Sequence, residues 1–177
     1  MESKKNIANT IARECILEAL LKLIKIKPLS SITITELTKL AGVSRMTFYR
    51  NYESKEEVFI SHLDNILEMY ELEERNATVK GTHYYDLEPL RHCFQYFAKY
   101  RAFLDGMFEC GFGNIFLEKL TDYVLKKWGN EEINNNYELY SFAGSLYNLY
   151  IKWTSEMPLQ PIDDVIVILN HIYDKKM

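Results

Sequence analysis

The segment that most constrains the fold is residues 33–51, where two short helices follow each other across a tight turn. Thr33 and Glu36 have the spacing of a capping box, which predicts that the first helix begins after Thr33. Gly42 supplies the positive φ that a tight turn requires, and Ser44 is placed to cap the second helix. Together with a longer preceding helix, this arrangement predicts a helix-turn-helix unit.

Apolar residues recur at helical spacing along the rest of the chain as well. One β-branched stretch, residues 165–169, could pass for a strand, but a lone strand would have nothing to pair with. The chain is therefore predicted to be all-α, with about nine helices. The predicted helices cover approximately residues 8–27, 33–40, 44–51, 54–75, 86–100, 102–108, 117–128, 135–155 and 161–173.

Charge and aromatic residues divide the chain into two parts. Residues 1–55 hold ten Lys and Arg against five Asp and Glu, a formal charge of +5, whereas residues 56–177 hold eleven against twenty, a charge of −9. Of the 24 aromatic residues, 18 lie between Tyr84 and Trp153. These gradients predict a basic domain at 1–55 and an acidic, aromatic domain at 56–177. A basic segment is typical of a surface that binds phosphates.

Several classes of protein are excluded by what the sequence lacks. The longest stretch without charge, Leu139–Ile151, has 13 residues, whereas a membrane-spanning helix needs about 20. The first residues show no secretory signal, so we expect a cytoplasmic protein without a membrane partner. Three scattered cysteines and four scattered histidines form no metal-ligand spacing, and no acid–base or nucleophile constellation is visible. We therefore expect no metal, no cofactor and no enzyme activity.

The second helix of the pair carries the predicted base-reading surface. By helical spacing, Phe48 and Tyr52 face the core, which leaves a set of donors and apolar groups facing outward and no carboxylate among them. In a helix-turn-helix this helix enters the major groove of DNA. The outward set consists of Arg45, Met46, Thr47, Tyr49, Arg50 and Asn51.

The run from Ile32 to Phe59 resembles the DNA-binding signature of the tetracycline-repressor (TetR) family of bacterial transcription regulators. The resemblance rests on Ala41-Gly42-Val43-Ser44, Thr47-Phe48-Tyr49 and Ser54-Lys55-Glu56. Two pairs depart from the pattern: Leu37-Thr38 stands where Ile-Ala is usual, and Asn51-Tyr52 where a His or Tyr precedes Phe. The departures affect the expected operator preference and leave the expected fold unchanged.

This resemblance implies a nine-helix homodimer with a three-helix DNA-binding head and a helical domain for ligand binding and dimerisation. It also implies roles for individual residues. Thr33 and Thr35 would donate to phosphates, Tyr49 and Lys55 would contact the DNA backbone, and the remaining members would face the groove. The implied DNA-binding residues are Thr33, Thr35, Arg45, Met46, Thr47, Tyr49, Arg50 and Lys55.

The aromatic residues of the acidic domain suggest a pocket for a small-molecule effector, with ordinary core packing as the alternative for each of them. The candidate pocket residues are Tyr96, Phe97, Tyr100, Phe103, Phe108, Phe112, Phe116, Tyr123, Tyr147 and Trp153.

The last two helices carry more apolar surface than one core can bury, which predicts that they pair with a second copy in a four-helix bundle. The candidate dimer residues are Ala143, Gly144, Tyr147, Tyr150, Ile151, Ile162, Val165, Ile166, Leu169, Ile172 and Tyr173.

The sequence therefore predicts a homodimeric transcription regulator, a repressor released from a double-stranded DNA operator by a small-molecule effector. The alternative is a DNA-binding regulator whose C-terminal domain binds a partner protein and no small effector. An aromatic cavity would favour the first, and an exposed apolar groove without a cavity would favour the second.

Overall fold

The computed structural model of the chain describes residues 2–76, 81–130, 133–157 and 159–174. These residues form nine α-helices and one short 3₁₀ helix and contain no strand, which confirms the all-α prediction. The α-helices are α1 (Glu2–Ile24), α2 (Ile34–Ala41), α3 (Arg45–Asn51), α4 (Lys55–Asn76), α5 (Leu87–Ala98), α6 (Arg101–Glu109), α7 (Gly113–Trp128), α8 (Ile133–Ser155) and α9 (Ile162–Tyr173).

The chain forms two compact units. The first unit comprises Met1–Glu68 and Ala102–Phe112, and the second comprises Met69–Arg101 and Gly113–Met177. Helix α6, which lies far along the sequence, therefore belongs almost entirely to the first unit. The predicted domain boundary after residue 55 concerns the division of function, and it stays a prediction.

In the first unit, α1 packs on both α2 and α3. The core of this unit contains the fully buried side chains of Ile16, Leu20, Leu37 and Phe48. Helix α6 also approaches α1 closely. A Cβ atom at Gly106 would lie 2.8 Å from Ile24 Cδ1 and 2.9 Å from Leu21 Cδ2, so glycine leaves the space that these two side chains fill.

Two basic side chains connect separate elements of the first unit. The Arg13 guanidinium donates to the Tyr52 hydroxyl at 3.2 Å and to the Ser61 hydroxyl. The Lys55 ammonium donates to the carbonyl oxygens of Leu29 and Ile32 at 2.7 and 2.6 Å. Lys55 thus fixes the start of α4 to the connection between α1 and α2.

The second unit is built around aromatic residues. Within it α7 packs on α8, and α9 packs on both α5 and α8. Phe94 lies edge-on to Trp153 at 5.7 Å between ring centroids, and Phe116 lies edge-on to Phe97 at 5.5 Å. The buried Tyr150 hydroxyl donates to the Phe97 carbonyl at 3.0 Å. The core therefore combines ring packing with internal hydrogen bonds.

Three local features differ from the sequence-based expectation. Residues 29–31 form a 3₁₀ helix in the predicted turn, and α7 begins at Gly113, four residues before Leu117. Asp86 precedes α5 as predicted but makes no capping hydrogen bond to it, because its carboxylate accepts from the backbone N–H groups of Thr82 and His83 at 2.7 and 3.0 Å. Among the described residues, no helix is both long and apolar enough to cross a membrane.

Candidate nucleic-acid interface

The turn between α2 and α3 is fixed by local backbone and side-chain hydrogen bonds. Gly42 has φ +69°, a conformation that favours glycine, and the Val43 N–H donates to the Thr38 carbonyl at 3.0 Å. Ser44 then caps α3, since its hydroxyl accepts from the Thr47 N–H at 3.0 Å. These bonds end α2 and begin α3 within three residues, as the sequence predicts.

Helix α3 presents one buried side and one exposed side. Phe48 is completely buried and Tyr52, just beyond the helix, is nearly so, as predicted. The exposed side carries Arg45, Arg50, Met46 (82% exposed) and Tyr49 (53% exposed). The helix therefore displays two guanidinium groups, a thioether and a phenol to the solvent, a combination suited to base edges and phosphates.

Two polar side chains of α3 are partly committed to the helix itself. The Thr47 hydroxyl lies 2.9 Å from the Ser44 hydroxyl, and the Asn51 side-chain amide donates to the Thr47 carbonyl at 2.8 Å. Both side chains are half-buried. Contacts with DNA by Thr47 would therefore come from the edge of the exposed surface.

The N-terminus of α2 lies at the surface. Thr33 and Thr35 are both exposed, and the Thr33 hydroxyl caps α2 by accepting from the Glu36 N–H at 3.2 Å. A hydroxyl that accepts one hydrogen bond can still donate its own proton, so the predicted phosphate contact of Thr33 is compatible with its capping role. The Glu36 carboxylate pairs with Lys27 at 2.5 Å, and this lowers the Glu36 pKa.

Lys55 is half-buried, and two of its three ammonium N–H groups are used by the carbonyls of Leu29 and Ile32. Sequence reasoning missed these contacts because the carbonyls lie 26 and 23 residues away along the chain. The predicted contact between Lys55 and the DNA backbone stays a prediction.

The ten aromatic residues predicted to line an effector pocket are divided between the two units, and the pocket stays a prediction. Phe103, Phe108 and Phe112 belong to the first unit, where Phe103 and Phe112 pack against Phe59. The other seven belong to the second unit, and four of them are buried in its core: Tyr96, Phe97, Phe116 and Trp153.

A small cavity of about 30 Å³ does occur in the second unit, and Tyr123 is the one member of the predicted set among its lining residues. Because a buried water needs about 10–15 Å³, this space holds about two water molecules. The thiol of Cys93 also lines the cavity, and burial raises its pKa to about 12. No group of three or more His, Cys, Asp or Glu side chains in the described part of the chain could hold a metal ion.

The residues predicted for the dimer interface divide by burial. Ala143, Tyr150, Ile166 and Leu169 are buried within the single chain, whereas Ile172 is 59% exposed. The remaining six are half-buried: Gly144, Tyr147, Ile151, Ile162, Val165 and Tyr173.

The same two helices expose four apolar or aromatic residues that sequence reasoning did not select: Tyr137, Tyr140, Val167 and Ile168. The sequence shows the spacing of these residues. It does not show which side of α8 and α9 is covered by the rest of the unit. A Cβ atom at Gly144, on α8, would meet nothing within 4 Å. The exposed stripe thus includes a position with open space.

Residues 16–61 match the family model of bacterial regulatory proteins of the tetR family. This match covers the second half of α1, the helix-turn-helix and the start of α4. A comparison with curated proteins found no match.

Solved structures with the same fold extend the likeness to the whole chain. Lin0861 from Listeria innocua has a TM-score of 0.75 at 16% identity, with 94% of this chain and 91% of that chain covered. A Clostridium perfringens protein described as a fatty acid metabolism regulator has a TM-score of 0.57 at 18% identity, with 88% and 94% covered. NalD of Pseudomonas aeruginosa, the secondary repressor of the MexAB-OprM multidrug efflux pump, has a TM-score of 0.58 at 15% identity, with 93% and 94% covered.

The structural likenesses, all below 20% identity, establish the fold, and the family model identifies the DNA-binding segment. Proteins of this family are DNA-binding transcription regulators and not enzymes, which confirms the prediction that this chain is not an enzyme. Residues 16–61 therefore form a DNA-binding segment of the kind found in the tetR family of bacterial regulatory proteins.

Proposed function

We propose that the protein is a homodimeric repressor of the cytoplasm that binds a partly palindromic operator through α3 and is released by a small-molecule effector. The observation that carries the proposal is the face of α3, where Arg45, Met46, Tyr49 and Arg50 are exposed around a completely buried Phe48. The helix is anchored by its core residue and offers these four exposed side chains to a ligand.

In this proposal α3 lies in the major groove of the operator. Arg45 and Arg50 donate to base edges, for which guanine is the preferred partner of a guanidinium group. Met46 and Thr47 make the apolar and hydroxyl contacts beside them, and Tyr49 contacts the DNA backbone. Thr33 and Thr35 donate to phosphates from the exposed N-terminus of α2, where the helix dipole also favours an anion.

Dimerisation is proposed through the exposed stripe of α8 and α9, defined by Tyr137, Tyr140, Gly144, Val167, Ile168 and Ile172. Apolar side chains that lie exposed at helical spacing favour contact with an identical stripe on a second copy. A two-fold dimer would present two copies of α3 to half-sites about 34–36 Å apart. An effector that prefers the conformation with a different separation lowers operator affinity by the coupling free energy, typically about 1–3 kcal/mol.

DNA recognition is tested by selecting an operator from random DNA with the wild-type protein and then measuring the affinity of variants by fluorescence anisotropy. Arg45→Ala is expected to weaken binding by about 1–3 kcal/mol, and Tyr49→Ala to weaken it as well. Lys25→Ala, which removes an exposed charge outside the helix-turn-helix, is the control. Unchanged affinity in both α3 variants would show that α3 is not the recognition helix.

Dimerisation is tested by sedimentation equilibrium of Ile168→Asp. A charge in the apolar stripe is expected to shift the protein toward monomer, since it would be desolvated on association. The matched control is Ile26→Asp, which alters an exposed isoleucine of the first unit. A variant at position 168 that sediments like the wild type would exclude this stripe as the interface.

A further inference from the structure

The second unit contains a site for a cation that the protein fills with its own Lys127. The Lys127 ammonium lies 2.6 Å from Glu74 Oε1 and donates to the Tyr123 hydroxyl at 3.3 Å. It also lies 4.9 Å from the centroid of the Trp128 ring and 5.8 Å from that of Tyr123. A carboxylate with two aromatic rings is a combination that recognises organic ammonium groups.

Glu74 is the fixed half of this ion pair. Its side chain is only 13% exposed, and it accepts hydrogen bonds from the hydroxyls of Tyr123 and Tyr70, the latter at 3.5 Å. Burial raises the pKa of Tyr123, so its hydroxyl stays protonated and continues to donate. Because these partners hold the carboxylate in place, it remains in the site whether or not Lys127 is present.

Lys127 is the more exposed half of the ion pair. Its side chain is 33% exposed at the end of α7, on a flexible four-carbon stem that can turn the ammonium into water. Releasing this ammonium is cheap only if another cation replaces it, since an uncompensated buried carboxylate is strongly unfavourable. The site therefore exchanges one cation for another.

A groove of about 300 Å³ gives access to this ion pair, a volume at the lower end of the range for ligand pockets. Glu74, Tyr123 and Lys127 line both this groove and the inner cavity of about 30 Å³. The other groove cations are already engaged: Lys126 pairs with the Glu71 carboxylate at 3.0 Å, and Arg75 donates to the Glu71 carbonyl at 3.2 Å. The body of a small ligand fits the groove, while its charged end lies at Glu74.

The burial of the two partners decides the sign of the ligand's charge. An anion would have to take Lys127 away from Glu74 and leave that carboxylate buried without a cation. A cation would displace only Lys127, which is free to move into water. We propose that Glu74, Tyr123 and Trp128 bind the ammonium group of an organic cation that displaces Lys127, and that the rest of the ligand lies in the groove.

This inference names the chemical class of the effector and rests on the proposed function only for its consequence, the release of the operator. Binding of the cation is therefore measured on DNA-free protein. The probe is benzyltrimethylammonium, which is titrated into the wild-type chain by isothermal calorimetry while tryptophan fluorescence is followed. Benzoate, an aromatic anion of similar size, is titrated in parallel.

Two variants are expected to have opposite effects. Lys127→Met removes the resident ammonium and keeps the length of the side chain, so cation binding is expected to tighten by about tenfold. Glu74→Gln removes the charge and is expected to weaken binding by about tenfold or more. Lys152→Met, which removes an exposed lysine that lines neither the groove nor the inner cavity, is the matched control and is expected to change the affinity little.

The outcomes separate the possibilities. Weaker cation binding by Lys127→Met, tighter binding of benzoate than of the cation by the wild type, or no saturable cation binding at millimolar concentrations by wild type and Lys127→Met alike would overturn the proposal. If Glu74→Gln fails to fold, the sign of the Lys127→Met effect decides alone. A cation that binds without releasing the selected operator leaves this site standing and contradicts the effector step of the proposed function.

Discussion

The helix-turn-helix and the second unit differ in how far along the sequence their hydrogen-bonding side chains find partners. In the helix-turn-helix, Thr33 and Ser44 cap helices through N–H groups three residues away. In the second unit, the Tyr150 and Tyr123 hydroxyls reach partners 53 and 49 residues away. The local hydrogen bonds leave the exposed surface of α3 open to a ligand. The long-range hydrogen bonds use polar groups that lie inside the second unit. An exposed binding helix such as α3 can therefore be held by local hydrogen bonds and one buried side chain, that of Phe48.

The largest effect is expected from removing the Phe48 ring, the buried anchor of α3. Phe48→Ala is expected to lower the free energy of unfolding of the first unit by about 3–5 kcal/mol, because it leaves a cavity at a completely buried position. Far-UV circular dichroism reports on all helices, whereas both tryptophans lie in the second unit. In this variant we expect the dichroism signal to change under milder denaturing conditions than the tryptophan fluorescence. Parallel shifts of both signals would show that the units unfold together, and the exposed Met46→Ala is the control.

Lys55→Met tests a long-range contact in the first unit, where local contacts prevail. We expect a loss of about 1.5–3 kcal/mol in stability from the two charge-assisted hydrogen bonds to the carbonyls of Leu29 and Ile32. Urea unfolding measures the effect. Lys39→Met, at an exposed position on α2, is the matched control and should change stability by less than about 0.5 kcal/mol. Equal effects of the two variants would contradict a stabilising tether between Lys55 and the carbonyls of Leu29 and Ile32.

Tyr150→Phe tests the long-range bonds of the second unit. Loss of the hydroxyl is expected to destabilise the protein by about 0.5–1.5 kcal/mol, the usual contribution of one internal hydrogen bond, because the Phe97 carbonyl keeps its bond from the Tyr100 N–H. Tyr140→Phe makes the same change at an exposed position of the same helix. Urea unfolding followed by tryptophan fluorescence should separate the two. A larger effect at Tyr140 would be inconsistent with this account.

The smallest expected effect is the pH dependence of the Lys27–Glu36 ion pair. The pair lowers the Glu36 pKa from its ordinary value of 4.5. Stability from this carboxylate is therefore fully present above pH 4.5 and is lost as the pH falls through the lowered value. The difference in melting temperature between wild type and Glu36→Gln should be constant near neutral pH and shrink in acid. A difference that grows as the pH falls would contradict the assignment.

The sequence predicted the nine α-helices that the described residues form, because the signals for these helices are local. Thr33, Ser44 and Ser54 stand three residues before the N–H groups that they cap, and Gly42 marks its turn by residue type alone. The capping boxes themselves form only in part. The carboxylates of Glu36 and Glu57 turn instead to Lys27 and to the Glu53 N–H. For Glu36 the partner lies nine residues earlier in the chain, whereas Glu57 takes the N–H of the residue directly before its cap, Ser54.

What could not be predicted depends on residues that meet only in the folded chain. Membership of α6 in the first unit follows from packing at Gly106, which no periodicity reveals. Tyr123 and Lys127 are one helical turn apart and share a face, but the carboxylate that joins them comes from Glu74, 49 residues before Tyr123. The prediction of an aromatic pocket depends on such contacts as well, because composition identifies many rings and does not say which of them pack against each other.

The tether made by Lys55 also has a consequence for ionic strength. Each phosphate that a protein neutralises releases counterions, and the slope of log affinity against log salt changes by about 0.9 per contact. An ammonium that stays with the carbonyls of Leu29 and Ile32 releases none. Comparing the salt dependence of operator binding in wild type and Lys55→Met therefore shows whether this lysine exchanges its carbonyl partners for a phosphate. Equal slopes would mean that the charge closest to the start of α4 serves the fold of the head and leaves DNA to other side chains.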